Sequence, residues 1–317
     1  AEDAAEAVSQ AISELPRELP VLAVFMSARD RAAMTARGGV PTYLYPESAA
    51  NALARVHHHA QWRRRPIEDP ARFADADADA AAAAISEGLG EGGGWLGFER
   101  LQRVLRAYGL PLADWRLAGD PDEAGDAAAD LGGAVAVKAL GPEIVHKTEL
   151  GALELDLAGA RQAAEAAVRI DERLELAGLA RERFLVQAMA PAGVEMLLGV
   201  VGDPLFGPVV ACGAGGVEAE LINDVSVRLA PLTTRDAQEM LRGLKTFPLL
   251  TGYRGSPAVD LDALQDLLLR TSAMVDAHEE IAELDLNPVI AGADGALVVD
   301  ARIRVESRPP ARPWPTA

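Results

Sequence analysis

The stretch Val135–Leu153 reads VAVKALGPEIVHKTELGAL, and it joins an apolar strand pattern to a loop that carries a histidine and a lysine. The strand pattern contains Lys138, one of only three lysines in a chain with 27 arginines. A charged side chain on an apolar strand needs a partner that offsets its desolvation, and a phosphate suits the compact charge of an ammonium group. The pattern predicts a strand with an anion-binding lysine; a strand-end lysine that reaches solvent is the simpler alternative.

The loop after this strand contains the second candidate. Gly141 and Pro142 open the loop, and His146 and Lys147 follow. Imidazole titrates near neutral pH, so a loop histidine can attack a phosphoryl group as the neutral base and release it again. An exposed histidine without a function is the alternative that position alone leaves open.

Composition places the chain among globular proteins and excludes several classes of function. Half of the 317 residues are apolar, a quarter are charged, and the formal net charge is −18. Binding of nucleic acid needs a basic face, which this balance does not provide.

The single cysteine, Cys212, excludes an intramolecular disulfide and a zinc site of paired cysteines. No apolar run reaches the roughly 20 residues that span a bilayer, and the acidic start lacks the pattern of a signal peptide. We therefore expect a cytoplasmic protein that binds neither nucleic acid nor membrane.

Hydrophobic periodicity divides the chain into three parts. Residues 1–68 alternate helix and strand patterns, which indicates a parallel sheet, and two strands are few enough to predict the end of a larger domain. A start without methionine agrees with a longer polypeptide. Residues 69–94 run through DADADAAAAA to GLGEGGG and are predicted to be a linker, although the alanine run could form a short helix. In residues 95–317, many strands with few crossover helices indicate mixed and antiparallel sheets, hence an α+β domain.

A second glycine-rich loop lies in GPVVACGAGGVEAEL, residues 207–221. Gly215 and Gly216 allow backbone amides to approach an anion closely. A dinucleotide fingerprint would require a third glycine where Glu218 stands, followed by a βαβ helix, so a nicotinamide dehydrogenase is only a weak hypothesis. A glycine-rich turn without a function is the further alternative.

The segment AELDLNP, residues 282–288, carries the candidate metal ligands. The strand period of two places Glu283, Asp285 and Asn287 on one face. The turn AGADG then returns the chain, so that Asp300 is expected to face the same side. Oxygen ligands from neighbouring strands suit Mg²⁺, which keeps several waters and shares the phosphates of a nucleotide. The polar outer face of a hairpin is the alternative.

Taken together, these segments resemble the ATP-grasp unit of the ADP-forming (NDP-forming) acyl-CoA synthetases, relatives of succinyl-CoA synthetase. Besides the opening stretch, the resemblance rests on FLVQAMAPAGVEMLLGVVGDPLFGPVV, CGAGGVEAELINDVSVRLAPL, LLTGYRG, and ELDLNPVI with VVDARI. These segments cover about residues 95–305 in order. Residues 1–68 resemble the end of the flavodoxin-like ligase-CoA domain through VLAVFM, GVPTYLYPESAANAL and QWRRRP. The implied fold is an ATP-grasp fold preceded by part of a flavodoxin-like parallel α/β domain.

The resemblance also implies roles for the matching residues. The implied nucleotide-binding residues are Lys138 for the ATP phosphates, Gln187 and Met189 for adenine, Glu195 for the ribose, and Gly215 and Gly216 in the same cleft. The implied Mg²⁺ ligands are Asn287 and Asp300. The implied catalytic residues are His146, Lys147, Glu218 and Arg254. Among these, His146 exchanges a phosphoryl group with a phosphohistidine in another domain.

The implied activity converts an acyl-CoA, ADP and phosphate into a carboxylate, CoA and ATP. We find neither the CoA-binding Rossmann segment nor the phosphohistidine loop, so both are expected in other domains of the same or a partner chain, which would also bind most of the CoA. A second hypothesis is a ligand-sensing module, because a similar region is fused to an N-acetyltransferase domain in bacterial protein lysine acetyltransferases. Retention of HKTE and Asn287 favours a working phosphoryl site, whereas Ala188, where the family commonly has an acidic residue, favours the sensor.

Overall fold

A computed structural model describes residues 7, 8, 10–12, 14–16, 19–26, 40–141, 144, 150–216 and 224–307. The chain divides into two compact units between Glu68 and Asp69. Among the described residues, no helix combines the length and apolar character needed to cross a membrane.

The first unit contains a small parallel sheet and one long helix. Strand β1 (Ala23–Val24) pairs in parallel with β2 (Thr42–Tyr43), and helix α1 (Pro46–Arg63) follows. Pro46 begins the helix at a position where the N–H that proline lacks has no helical partner. Parallel strands require a crossover connection, so the predicted parallel α/β character of this part is confirmed.

The second unit begins at Asp69, the first residue of the predicted linker, so this segment is part of the unit instead of a linker. The short helix that the alanine run was expected to allow is present. Residues Ala78–Gly90 form helix α2, which starts where the Asp77 carboxylate accepts a hydrogen bond from the Ala80 amide at 3.0 Å. One face of this helix is buried in the core of the unit, and Gly88 lies directly against Leu96. Alanine is the strongest helix former and packs closely, so a run that looks like low complexity provides a tightly packed helix.

A four-stranded sheet forms the smaller part of the second unit. Its strands, in spatial order, are β4 (Trp115–Ala118), β7 (Arg183–Ala188), β5 (Ala134–Leu140) and β6 (Leu153–Ala158). All neighbours pair in antiparallel fashion. Helices α4 (Pro121–Leu131) and α5 (Gly159–Leu176) cover one face, and Val135, Val137 and Ala139 pack under them. The alternation of the strand therefore turns Lys138 to the opposite face.

A seven-stranded sheet forms the larger part. Its strands are β3 (Gly94–Trp95), β8 (Val194–Asp203), β9 (Gly207–Ala214), β10 (Val225–Leu229), β11 (Ile281–Gly292), β12 (Gly295–Val298) and β13 (Ala301–Val305). The order is β10-β9-β8-β11-β13-β3, with β12 paired to β11, and each of these pairings is antiparallel.

Helices cover one face of this larger sheet. They are α2, α3 (Phe98–Ala107), α6 (Thr234–Arg242), α7 (Phe247–Leu250) and α8 (Leu261–Ala277), and they contribute to one apolar core with the sheet. The prediction of an α+β unit with antiparallel sheets is confirmed.

Two backbone connections join the sheets. In the first, the Ala113 amide donates to the carbonyl of Val298, in the larger sheet, at 3.0 Å. The carbonyl of the next residue, Asp114, accepts from the amide of Ala188, in the smaller sheet, at 2.8 Å. In the second, the chain runs from β7 to β8 through Gly193, where a Cβ atom would lie 2.4 Å from the Ala291 carbonyl oxygen. Only glycine allows the backbone to approach β11 this closely.

Candidate active site

Lys138 is the charged group at the centre of the candidate site. Its side chain is only 3% exposed, on the face of the four-stranded sheet that the helices leave free. The ammonium donates to Gln187 Oε1 at 2.7 Å and to the Val299 carbonyl at 3.0 Å. Because Val299 belongs to the connection between β12 and β13, the lysine bridges the two sheets. A buried ammonium held in this way is a fixed positive charge.

Gln187 lies on β7 beside Lys138, and its side chain is buried. Its amide nitrogen lies 3.5 Å from the Ala113 carbonyl, to which it donates, while its oxygen accepts from the lysine. Both ends of the amide are thus hydrogen-bonded within the protein, and the contact with adenine that the resemblance implies stays a prediction.

The predicted metal ligands lie on the interior strand β11 and in the connection between β12 and β13. The Asn287 backbone amide donates to the Asp300 carbonyl at 3.0 Å, which fixes the backbones of the two ligands side by side. The Asn287 side chain is exposed and Asp300 is half-buried. Among the described residues, no group of three or more His, Cys, Asp or Glu side chains could hold a metal ion. Two protein ligands still suit Mg²⁺, which completes its shell with water and phosphate oxygens.

Asp285 lies near the implied Mg²⁺ ligands Asn287 and Asp300, but the resemblance assigns no role to it. It shares the exposed face of β11 with Glu283 and Asn287, and it is paired across the strands with Arg302. Surrounding protein atoms desolvate its carboxyl group and raise its pKa; the Arg302 charge opposes this shift and the Asp300 charge adds to it. The carboxyl group of Asp285 is thus partly desolvated although the residue is exposed. The period of two in ELDLNP already indicated that Asp285 faces the same side as Asn287.

Glu195 lies next to two glycines of the glycine-rich loop. The Gly215 amide donates to the Glu195 carbonyl at 2.7 Å. A Cβ atom on Gly216 would lie 3.4 Å from Glu195 Oε2, and the φ angle of this glycine is +84°. Glu195 is exposed and its partner on β11 is Ile290, three residues after Asn287. The structure thus brings Glu195, Gly215 and Gly216 together.

Two further predicted residues lie in the described chain without a demonstrated role. Met189 is half-buried directly after β7, and its amide donates to the Ala134 carbonyl at 2.9 Å, where the chain leaves the smaller sheet. Arg254 is exposed, has a φ angle of 51°, and its guanidinium lies 5.3 Å from the centre of the Tyr253 ring. Within the described part of the chain, Arg254 makes no hydrogen bond or ion pair to the other candidates. The remaining candidates, His146, Lys147 and Glu218, lie outside the described residues.

A cleft of about 710 Å³ adjoins this region. Asp300 and Arg302 line it from the larger sheet, and Leu140, Gly141 and Arg183 line it from the smaller sheet. Ile144 also lines it. In the sequence, Gly141 and Ile144 lie shortly before His146. Most of the other lining residues belong to α2, β3 and α3, and Asp300 is the one candidate site residue among the described residues that line the cleft.

The geometry excludes one of the weaker hypotheses. Strand β9, which ends in the glycine loop, pairs in antiparallel fashion with both β8 and β10. A dinucleotide fingerprint requires a parallel βαβ unit after the strand. The nicotinamide dehydrogenase hypothesis is therefore wrong.

Comparison with known proteins agrees with this architecture. The sequence profile of the ATP-grasp domain matches residues 87–305. The chain is 36% identical to an ADP-forming acetate–CoA ligase I of Archaeoglobus fulgidus, over 84% of this chain and 39% of that protein. It is 34% identical to the beta subunit of an ADP-forming acetate–CoA ligase I of Pyrococcus furiosus, over 64% of this chain and 88% of that subunit. These relatives are ligases, which does not favour the sensor hypothesis.

Solved structures show the same similarity. An acetyl-coenzyme A synthetase 1 of Ca. Korarchaeum cryptofilum, solved with coenzyme A and Ca-AMPCP, superposes with a TM-score of 0.68 at 38% identity, covering 71% of this chain and all of that one. Another structure of this synthetase contains Mg-AMPPCP and a phosphohistidine segment pointing towards the nucleotide-binding site; its TM-score is 0.63 at 37% identity, covering 71% of this chain and all of that one. The chain spans 39% of the length of its single-chain relative. By its profile match, its relatives and its fold, the chain belongs to the ATP-grasp domain family of the ADP-forming acetate–CoA ligases.

Proposed function

We propose that this chain is the nucleotide-binding, phosphoryl-transferring portion of an ADP-forming acyl-CoA synthetase, which converts an acyl-CoA, ADP and phosphate into a carboxylate, CoA and ATP. The observation that carries the proposal is the buried Lys138 ammonium, which bonds to the backbone next to Asp300. A fixed positive charge beside oxygen ligands for a cation suits the phosphates of a nucleotide.

The residues present fit Mg²⁺ and a nucleotide. Asn287 and Asp300 would hold Mg²⁺, which would offset phosphate charge when bound. Lys138 would bind and orient the phosphates from the smaller sheet, and the exposed Glu195 would accept hydrogen bonds from the ribose hydroxyls. Gly215 and Gly216 would leave room for the nucleotide beside Glu195. Met189, at the connection between the sheets, would contact adenine.

His146 would be the residue that takes part in covalent chemistry. Its imidazole would attack the phosphorus of a phosphohistidine from another domain, so that one P–N bond breaks and another forms. A terminal phosphate oxygen of ADP would then take the phosphoryl group, which yields ATP and a free His146. Lys147, Glu218 and Arg254 would serve as catalytic residues around this transfer, with Lys147 offsetting the phosphoryl charge.

The remaining steps require other domains. We propose that the cleft next to Asp300 receives a phosphohistidine segment of the same polypeptide or of a partner chain, because such a segment points towards the nucleotide-binding site in one of the similar synthetase structures. Those other domains would also bind most of the CoA and the acyl group. A synthetase of this kind would work in the cytoplasm.

The similarity to the single-chain relative bears on the first unit of the chain. The alignment with that relative covers 84% of this chain, more than the profile match covers, and only residues 306–317 follow that match. The similarity therefore extends upstream of residue 87, which supports the proposal that residues 1–68 end a ligase-CoA domain.

Calorimetric titration of the chain with ATP, with and without Mg²⁺, tests the proposal. We expect binding that Mg²⁺ strengthens about tenfold. Lys138→Ala should weaken binding about 100-fold, because hydrogen bonds to charged groups contribute about 1.5–3 kcal/mol and the charge itself is also lost. Asn287→Ala should remove the Mg²⁺ effect. Arg161→Met, a charge change on the outer helix α5, is the control and should bind like the wild type. A folded wild-type chain that does not bind ATP would overturn the proposal.

A phosphorylation assay tests the covalent step separately. The wild-type chain, incubated with Mg²⁺ and ATP labelled at the γ-phosphate, should acquire an acid-labile label in the reverse direction of the transfer. His146→Asn should abolish the label while ATP still binds. A label that persists in this variant would show that another residue accepts the phosphoryl group.

A further inference from the structure

We propose that Gln187 is a positioning residue, which holds the Lys138 ammonium in place for the nucleotide phosphates and does not contact adenine through its side chain. This inference rests on the proposed function, because it concerns how the nucleotide site is built. It replaces the role that the sequence resemblance implies for Gln187.

The first argument is the placement of both side chains on one face of the smaller sheet. On β7, Phe184 and Val186 pack under the helices, so Gln187 points to the other side, where Lys138 also lies. The two residues are on neighbouring strands, and their side-chain atoms are 2.7 Å apart. Gln187 is 1% exposed. A side chain this deeply buried offers little surface to a ligand.

The second argument is the orientation of the Gln187 amide. An ammonium group only donates hydrogen bonds, so the oxygen of Gln187 must face Lys138. The amide nitrogen then points to the Ala113 carbonyl, and Ala113 is itself bonded to Val298 of the larger sheet. The glutamine thus links the lysine to the backbone that joins the sheets, while the Val299 carbonyl is the second acceptor of the ammonium. These two acceptors fix the ammonium between the sheets.

The third argument is charge. A glutamate at position 187 would accept the same hydrogen bond, but its negative charge would offset the positive charge that attracts the phosphates. Glutamine supplies an oriented acceptor and adds no net charge. A preorganised dipole that leaves the charge intact is the arrangement that favours binding of an anion.

Gln187→Leu tests the inference, because leucine has a similar size but no acceptor. Binding of radiolabelled ADP and of radiolabelled adenosine is measured by equilibrium dialysis. We expect ADP to bind about tenfold more weakly, while the affinity for adenosine, which has no phosphate, stays within about twofold. If Gln187 contacted adenine, both affinities would fall by the same factor, and the inference would be overturned.

Two further variants separate positioning from loss of structure. Val186→Ala removes a buried contact of the same strand on the helix side, so it should lower the melting temperature but keep the ratio of ADP to adenosine affinity. Gln187→Glu restores the acceptor, so its melting temperature should lie near that of the wild type while its ADP affinity stays low. Wild-type ADP affinity in Gln187→Glu would contradict the charge argument.

A double-mutant cycle with Lys138→Met shows whether Gln187 acts through the lysine. In the Lys138→Met background, Gln187→Leu should no longer weaken ADP binding, because the group that it positions is gone. Additive losses would show that the two residues act independently and would overturn the inference. A wild-type chain that does not bind ADP would instead contradict the proposed function itself, so the two failures are distinguishable.

Discussion

The four-stranded and seven-stranded sheets each pack one face against helices, but their other faces differ. On the smaller sheet the second face buries Lys138 and Gln187. On the larger sheet the second face keeps Val201, Asp285 and Asn287 exposed. The positive group of the candidate site is therefore fixed inside protein, whereas the oxygen ligands remain in contact with water.

This difference follows from what each group has to do. A buried ammonium cannot exchange its partners freely, so its position is set before a nucleotide binds, and the cost of its desolvation is offset by Gln187 and the Val299 carbonyl. The ligands that we propose for Mg²⁺ do not need such burial, because the ion retains water molecules in its shell. The site thus combines a rigid cation with hydrated anionic and amide ligands.

The largest expected effect concerns the two faces of the larger sheet. Cys212 lies on the helix-covered face of β9, where burial raises the pKa of its thiol to about 12. At pH 8 only about one thiol in 10,000 is then ionised, so labelling by a thiol reagent should be about 1,000-fold or more slower than in the unfolded chain. Stopped-flow or manual labelling kinetics in buffer and in denaturant measure this ratio.

Val201→Cys in a Cys212→Ala background provides the matched comparison. Val201 lies on the opposite face of the neighbouring strand β8 and is 62% exposed. This thiol should react at nearly the rate of the unfolded chain. Equal protection of both positions would show that the second face of the larger sheet is covered, and the contrast between the sheets would be lost.

The next effect concerns the connection between the sheets at Gly193. In Gly193→Ala, the new methyl group would lie 2.4 Å from the Ala291 carbonyl oxygen and 2.8 Å from the Ile290 side chain, so β8 and β11 must move apart. Overpacking of this kind costs about 1–3 kcal/mol. We expect a loss of about 2 kcal/mol in the free energy of unfolding, measured by denaturant titration.

Gly292→Ala is the control for this substitution. Gly292 lies on the same strand as Ala291, but the nearest atoms to an added Cβ are 3.9 Å away. The expected change is within about 0.5 kcal/mol. Similar losses in both variants would mean that the loss arises from alanine in this region of the sheet and not from the close approach.

Local patterns predicted the parts of the site that depend on alternation. The period of two in ELDLNP correctly separated the buried residue Leu286 from the exposed Asn287. Such patterns report which face a side chain occupies, and sheets with one helix-covered face preserve this signal. The antiparallel return of the chain after β11 was predictable for the same reason.

The features that were missed depend on contacts between distant parts of the chain. The partners of Lys138 lie 49 and 161 residues away, and no local pattern specifies that Gln187 turns to the lysine. The alanine-rich helix α2 was taken for a linker because composition alone does not show that Gly88 packs against Leu96. Tertiary packing decides both cases.

The smallest expected effect separates two buried basic groups, Lys138 and His278. His278 follows helix α8, and its Nε2 lies 3.0 Å from the Tyr108 hydroxyl. Burial lowers the pKa of this histidine below its ordinary value of 6.5, and the charge of Glu280 opposes the shift. Unlike Lys138, which is held by acceptors, the histidine is more stable as the neutral form.

This lowered pKa should appear in the pH dependence of stability. Below about pH 6.5 the His278 side chain binds a proton more readily in the unfolded chain than in the folded chain. The contribution of His278 to stability is therefore fully present above this pH and is lost as the pH falls towards the folded pKa. The loss is measured by urea denaturation between about pH 5 and pH 7.5.

Two variants distinguish this effect from the titration of carboxyl groups. His278→Gln should remove the loss. The contribution of Asp276 stays in both chains; burial raises the pKa of this carboxyl group, so its effect on stability at lower pH has the opposite sign. Tyr108→Phe should lower stability by about 1 kcal/mol at every pH yet retain the slope, because the ring of His278 stays buried. A slope that persists in His278→Gln would assign it to carboxyl groups, and the histidine would then tolerate its charge as Lys138 does.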